Sequence, residues 1–287
     1  MLQSIVWNVS PILVKLGSIE IRWYGILFAL AFIICYYLLR KMFAKDSVSS
    51  VYLDKLTVYC FVAVLIGARL GHCLFYDFPY YSKHIIEMLF PVKETAQGWK
   101  FSGYQGLASH GGAIGIIIAL IIYSRKTKIP FMWVVERLVI AICFGGASIR
   151  LGNLMNSEIY GHPTSLPWGF IFVRDGQTVA CHPTALYEAL SYITIGIVLY
   201  TLLNSKKIKI NQGMIFGIFL TALFGVRFLL EFLKNNQEAW EDALPIDMGQ
   251  ILSLPFIIAG IVFIVLSSKK NIGKTLDIKL LTDNKKV

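Results

Sequence analysis

The sequence predicts an all-α integral membrane protein with seven transmembrane helices, its N-terminus outside and its C-terminus in the cytoplasm. Three observations carry that prediction. Of the 287 residues, 56% are hydrophobic and only 15% charged, with a mean hydropathy of +0.64; soluble domains run at about 45–50% apolar and about 25% charged. Seven apolar runs each have the roughly 20 residues needed to cross a hydrocarbon core about 30 Å thick. Lys and Arg gather in alternate short connections, which sets the orientation.

The runs fall near residues 21–39, 55–76, 105–123, 131–149, 184–203, 213–233 and 249–268. Basic residues follow the first (Arg40, Lys41, Lys45), third (Arg125, Lys126, Lys128), fifth (Lys206, Lys207, Lys209) and seventh (Lys269, Lys270, Lys274). The other connections are acidic or mixed, as at Glu238, Glu241, Asp242 and Asp247. Residues 1–268 therefore read as one seven-span membrane domain with an external loop over 156–183, and residues 269–287 as a basic cytoplasmic tail. The N-terminus has neither a basic leader nor a small-residue cleavage site before Glu20, so no cleaved signal peptide is expected. Cys35, Cys60, Cys73, Cys143 and Cys181 show no paired spacing, which speaks against a disulfide framework and against a metal site. The net charge of +10 comes without a basic stripe or binding motif, so nucleic acid is not an expected partner.

Polar residues inside the runs converge on one level. At about 1.5 Å per helical residue, Arg69 stands roughly 21 Å above Lys55, and Arg227 roughly 21 Å above Gly213. Arg150 ends the fourth run, while Tyr24, His110, Glu188 and Gln250 lie near the outer starts of the inward runs. Independent snorkelling side chains would scatter to both interfaces; a shared polar cavity in the outer half gathers them on one. Glu136 and Arg137, near the inner end of the fourth run, stand apart and read as an interfacial anchor.

The densest polar stretch is residues 145–161, GGASIRLGNLMNSEIYG. A charge at the end of a membrane-length run is costly, about 2.5–3.5 kcal/mol at the bilayer centre on insertion scales. In a helix Arg150 and Asn153 share a face at i, i+3. The competing reading is a snorkelling Arg with Asn caps. This stretch resembles the signature of the prolipoprotein diacylglyceryl transferases, R-x-G-N-x-x-N-x-E-x-x-G, at Arg150, Gly152, Asn153, Asn156, Glu158 and Gly161. Ile149 and Leu154 depart from the usual Gly and Phe, and neither replaces a polar group.

Further blocks resemble the same family in order. They are Arg22-Trp23-Tyr24-Gly25, His110-Gly111-Gly112, His182-Pro183-Thr184 through Glu188, Arg227 with Glu231, and Met248 through Ser253. Residues 80–100 and the tail fall outside the resemblance. Gly112 and Gly115 suggest a close helix–helix or helix–lipid approach, and Gly67 with Gly71 a packing face around Arg69. Arg227 and Glu231 sit one turn apart, so Glu231 is expected to hold Arg227, and Glu188 to pair with an Arg rather than act as a base. Lys234 stands where some members carry Arg, and Lys supplies charge without a fork.

The resemblance implies a bacterial plasma (inner) membrane enzyme, multi-pass, with its active site facing the outer leaflet. It would transfer the diacylglyceryl group of phosphatidylglycerol to the lipobox cysteine of a prolipoprotein signal peptide, forming a thioether and releasing glycerol phosphate. The implied catalytic residues are His110, Arg150, Arg227, Tyr24 and Glu231, with His110 as base. Phosphatidylglycerol is expected to meet Arg150, Arg227, Asn153, Asn156, Glu158 and Gly161. No cofactor and no metal are expected. The alternative reading is a seven-span lipid-binding or transport protein with a polar pocket in the outer half of the membrane. A transporter would be expected to show repeats and broken helices, which the sequence lacks.

Overall fold

The computed structural model describes residues 4–17, 19–90, 92–95, 98–101, 106, 108–205, 210–235 and 247–277. Expectations placed on Gln105, on Lys206, Lys207 and Lys209, on Glu238, Glu241 and Asp242, and on the tail after 277 lie outside the described residues.

In chain order the elements are β1 (Ile5–Trp7), β2 (Ile12–Leu16), β3 (Ile19–Arg22), α1 (Trp23–Lys45), α2 (Ser50–Phe75), α3 (Phe78–Tyr81), α4 (Ile85–Leu89), β4 (Val92–Thr95), β5 (Gly98–Phe101), α5 (Ser109–Thr127), α6 (Phe131–Met155), β6 (Phe170–Phe172), α7 (Thr184–Asn204), α8 (Met214–Glu231) and α9 (Met248–Lys269). Each of the seven apolar runs falls on one helix, with ends that differ by up to six residues. Among the described residues six of these helices, α1, α2, α6, α7, α8 and α9, are long and apolar enough to cross a membrane. α5 is not among the six: it spans 19 residues but carries His110 at one end and Arg125 and Lys126 at the other. Seven apolar runs thus become six membrane-length helices and a more polar seventh.

The chain divides into two compact units, Met1–Met42 with Val135–Thr275, and Phe43–Val134 with Leu276–Val287. In the first, α6 is the most enclosed helix, with 67% of its apolar window buried, against 17% for α9. Glycines set the close approaches. A Cβ on Gly145 would lie 2.8 Å from Cys35 Sγ on α1, and one on Gly196 of α7 would lie 2.7 Å from the Phe144 ring. Ala147, Ala189 and Tyr192, with Leu223 against them, join α6, α7 and α8. Glu136 corrects its reading as an anchor. It is buried, and its carboxylate accepts from the backbone N–H of Gly213 (2.7 Å) and Ile215 (3.2 Å), so it caps the start of α8. A carboxylate there meets the unpaired N–H groups and positive dipole end of that helix.

The connection between α6 and α7 is not bare loop. β6 pairs in parallel with β1, Ile5 opposite Phe170 and Trp7 opposite Phe172. Leu154, Phe170, Phe172, Cys181 and Ala185 form its core, with Trp7 and Tyr160 packed against them. The Trp7 indole N–H donates to the Leu154 carbonyl at 3.0 Å, fixing the chain's start to the end of α6. Strands of three residues are too short for a period-two pattern to reveal.

In the second unit α2 and α5 cross on glycines. A Cβ on Gly67 would lie 2.4 Å from the Gly111 carbonyl oxygen, one on Gly111 would lie 2.1 Å from that of Gly67, and one on Gly115 would lie 2.4 Å from that of Ala63. A Cβ on Gly112 would meet nothing closer than 3.7 Å, so Gly111 rather than Gly112 partners Gly115 in this contact. Arg69 is buried; its Nε donates to the Met88 carbonyl (3.3 Å) and its guanidinium lies over the Tyr81 ring. Arg69 thus ties α3 and α4 to the end of α2.

Candidate active site

The site in the first unit begins where α6 ends. Arg150 and Asn153 lie one turn apart, and Arg150 Nη1 donates to Asn153 Oδ1 at 3.4 Å. Beyond Met155 the Asn153 carbonyl accepts from the backbone N–H of Asn156 and of Glu158, so the chain folds back over the helix end. The turn is tight enough that Ser157 (φ 58°) and Ile159 (φ 54°) both take left-handed backbone. That conformation is uncommon outside glycine and, for a β-branched residue, a true outlier. Its result is the aim of Glu158 between them. One carboxylate oxygen accepts from Asn153 Nδ2 and the other from Asn156 Nδ2, each at 3.1 Å. Asn156 Oδ1 is buried with no partner among the described residues, an acceptor still open.

α7 supplies the counter-charge. Glu188 is 0% exposed and its Oε2 forms an ion pair with Arg150 Nε. Its Oε1 lies 2.8 Å from Lys234 Nζ, which lies 3.1 Å from Glu231 Oε2. Each carboxylate oxygen of Glu188 therefore faces a cation, even though neither contact has ideal hydrogen-bond angles. The result is an alternating chain, Arg150–Glu188–Lys234–Glu231, drawn from α6, α7, the segment after α8 and α8 itself. Tyr192, one turn beyond Glu188, stands beside Arg150 and within the field of Arg227.

Glycines again make the geometry possible. A Cβ on Gly161 would lie 1.9 Å from the Leu233 carbonyl oxygen, and one on Gly249 would lie 2.5 Å from Glu231 Oε1. One on Gly152 would lie 2.9 Å from the Tyr24 ring, so that glycine of the motif is the seat of Tyr24. The Leu233 carbonyl accepts from the His162 N–H at 2.9 Å, and Gly161 pairs with Lys234. This brings Lys234 under Glu188. At the start of α9, Asp247 and Gln250 form a reciprocal cap, and Gln250 Nε2 reaches the Phe228 carbonyl at 3.3 Å.

The expected residues are thus placed as follows. Tyr24, Arg150, Asn153, Asn156 and Glu158 are brought together around the end of α6. Gly161 packs against Leu233, where a side chain would not fit. Glu188 pairs with an arginine, as the sequence suggested. Glu231 was expected to hold Arg227; its Oε2 pairs instead with Lys234, and no Arg227–Glu231 contact is found among the described residues. Arg227, half-buried, lies one turn earlier on α8. His110, exposed in the first turn of α5, belongs to the other unit. Sequence reasoning noted Lys234 but left it off the list of site residues, and passed over Tyr192. The i, i+3 spacing of Glu231 and Lys234 was a usable signal, and the Glu188–Tyr192 spacing of i, i+4 another.

Helices long and apolar enough for a membrane, surrounding a buried cation–carboxylate network at helix ends, define a polytopic membrane protein with a built polar site. The profile of the family described as prolipoprotein diacylglyceryl transferase matches residues 11–266. The chain is 45% identical over 271 residues to a phosphatidylglycerol–prolipoprotein diacylglyceryl transferase of Bacteroides fragilis, covering 94% of this chain and 98% of that one. It is 42% identical over 265 residues to the enzyme of that name from Tolumonas auensis (92% and 98% covered), and 41% over 287 residues to that of Porphyromonas gingivalis (95% and 98%). The chain belongs to the prolipoprotein diacylglyceryl transferase family.

Proposed function

We propose that this protein transfers the diacylglyceryl group of phosphatidylglycerol to the lipobox cysteine thiol of prolipoproteins in the bacterial inner membrane. The observation that carries the reading is the mode in which Arg150 is held. Glu188 takes its Nε from the side, and Asn153 touches Nη1 only at 3.4 Å, so donor capacity at the guanidinium end is left for a phosphodiester in a family whose relatives are named for an anionic lipid. Arginine suits that task because its planar fork matches phosphate oxygens and never loses its charge.

In this reading the thiol sulfur attacks the saturated glyceryl carbon that bears the phosphate. The S–C bond forms as the C–O bond breaks, the thiol proton passes to a base, the role that the family resemblance gives His110, and glycerol phosphate leaves carrying the electron pair. Arg150 and Arg227 stabilise the negative charge that grows on the leaving phosphate. An unperturbed thiol has a pKa near 8.5, so a neighbouring base raises the thiolate fraction. The open Asn156 Oδ1 offers an acceptor to a hydroxyl of the glycerol headgroup. Tyr24, on its Gly152 seat, lines the same end of α6.

We place α5 as the seventh span, the N-terminus outside and the active site at the outer leaflet, on the strength of the Lys and Arg in alternate connections. The test is conversion of a lipobox peptide by membranes containing this protein. A mass increase equal to one diacylglyceryl group on cysteine, dependent on added phosphatidylglycerol, is expected. Phosphatidylglycerol binding without any thioether product would replace this reading with that of a lipid-binding or transport protein.

A further inference from the structure

We propose that Glu188 is the positioning residue of Arg150 and that Lys234 keeps Glu188 from cancelling the charge Arg150 presents to the lipid. This rests on the reading that Arg150 takes the phosphodiester of phosphatidylglycerol.

A guanidinium can be held from the side, through Nε, or end-on, through its two terminal nitrogens. Glu188 holds Arg150 from the side. Asn153 Oδ1 touches only Nη1, and at 3.4 Å. The grip therefore fixes the plane of the guanidinium and turns its terminal nitrogens away from Glu188. A bidentate contact to phosphate depends on that orientation far more than on charge alone.

A fully buried carboxylate serving one arginine would also neutralise it, and a neutral pair attracts an anion weakly. Lys234 changes that balance. Its ammonium lies 2.8 Å from the other oxygen of Glu188 and 3.1 Å from Glu231. Shared between two cations, Glu188 keeps its hold on Arg150 while part of its charge is answered by Lys234. A compact ammonium with three donors fits between two carboxylates of different helices, where a planar fork would match only one. The backbone confirms that Lys234 is placed rather than drifting: it is 6% exposed, paired with Gly161, and preceded by a carbonyl bonded to His162.

The experiment uses the full-length protein in mixed micelles, with phosphatidylglycerol varied at a fixed lipobox peptide. Glu188→Gln is expected to lower kcat/KM for phosphatidylglycerol by at least about tenfold. The double variant Arg150→Lys with Glu188→Gln is expected to lie within about twofold of Arg150→Lys alone, because a lysine has no fork left to orient. Lys234→Gln is expected to raise the KM for phosphatidylglycerol more than it lowers kcat, and Lys234→Arg to restore part of the binding. If Glu188→Gln does not fold, Glu188→Asp serves instead. It retains the charge but draws it back by one methylene, and is expected to raise the KM for the lipid at unchanged melting temperature. Additive losses in the double variant, or an unchanged lipid KM in Glu188→Asp, would overturn the positioning role alone. A wild-type protein that makes no thioether would overturn the transfer reading and this proposal with it.

Discussion

At the scale of single residues, the motif around Arg150 is a set of side chains that hold one another. Arg150, Asn153, Asn156 and Glu158 were legible because costly polar groups stood together at the end of an apolar run. The partner choices were less so. The i, i+4 spacing of Arg227 and Glu231 made them neighbours, but spacing does not choose between partners, and Lys234 takes the carboxylate because Gly161 lets the chain after α8 double back. The left-handed turn that aims Glu158 gives a direct prediction. Ser157 is buried, has φ 58°, and its hydroxyl has no partner among the described residues. Ser157→Gly removes both the strain and the orphan hydroxyl, and is expected to stabilise the protein by about 1 kcal/mol after the extra chain entropy of glycine is counted. It should also slow transfer, because Glu158 is then less firmly aimed. Thermal unfolding and initial rates on the same preparation check both halves; unchanged stability would mean the turn is not strained.

At the scale of elements, the helices were legible and the ladder between α6 and α7 was not. Apolar runs of membrane length announce themselves, whereas β1 and β6 are three residues each and find one another across most of the chain. Glu136 shows the same limit: its charge was visible in the sequence, but its duty as a cap for α8 depends on a helix far along the chain. The ladder contains a pH-sensitive point. His182, outside the spans, donates its N–H to the His162 carbonyl and offers its own carbonyl to Gly161. Burial, and secondarily the nearby His162, push the His182 imidazole below its ordinary value of 6.5. A lowered value means that the unfolded chain binds the proton more readily. The stability His182 contributes is therefore complete above about pH 6.5 and declines as pH falls toward the folded-state value. Melting temperatures between pH 7.5 and pH 5 should fall, and His182→Gln should flatten that slope. An equal slope in the variant would assign the acid sensitivity to other groups.

At the scale of the whole molecule, the proposed orientation rests on the alternation of basic connections. In a cysteine-free background, an impermeant thiol reagent applied from outside is expected to label single cysteines placed within 156–183 and to miss those placed at 125–128. The reverse pattern would put Arg150 at the inner face and remove the common level on which the site depends. The contact of Gly249 with Glu231 also has a consequence for how the protein is made. Tyr24 comes from the first helix to emerge and Gly249 from the last, while Arg150 enters the bilayer before either Lys234 or Glu231 has been synthesised. During elongation that arginine has only Glu188 to answer it, and only once α7 has followed α6 out of the translocon. A nascent chain that ends before Lys234 cannot hold the finished charge network, so a ribosome that stalls within or before α8 releases a product without it. Such fragments, carrying unanswered ionic groups in lipid, are the kind of substrate that membrane quality-control proteases remove.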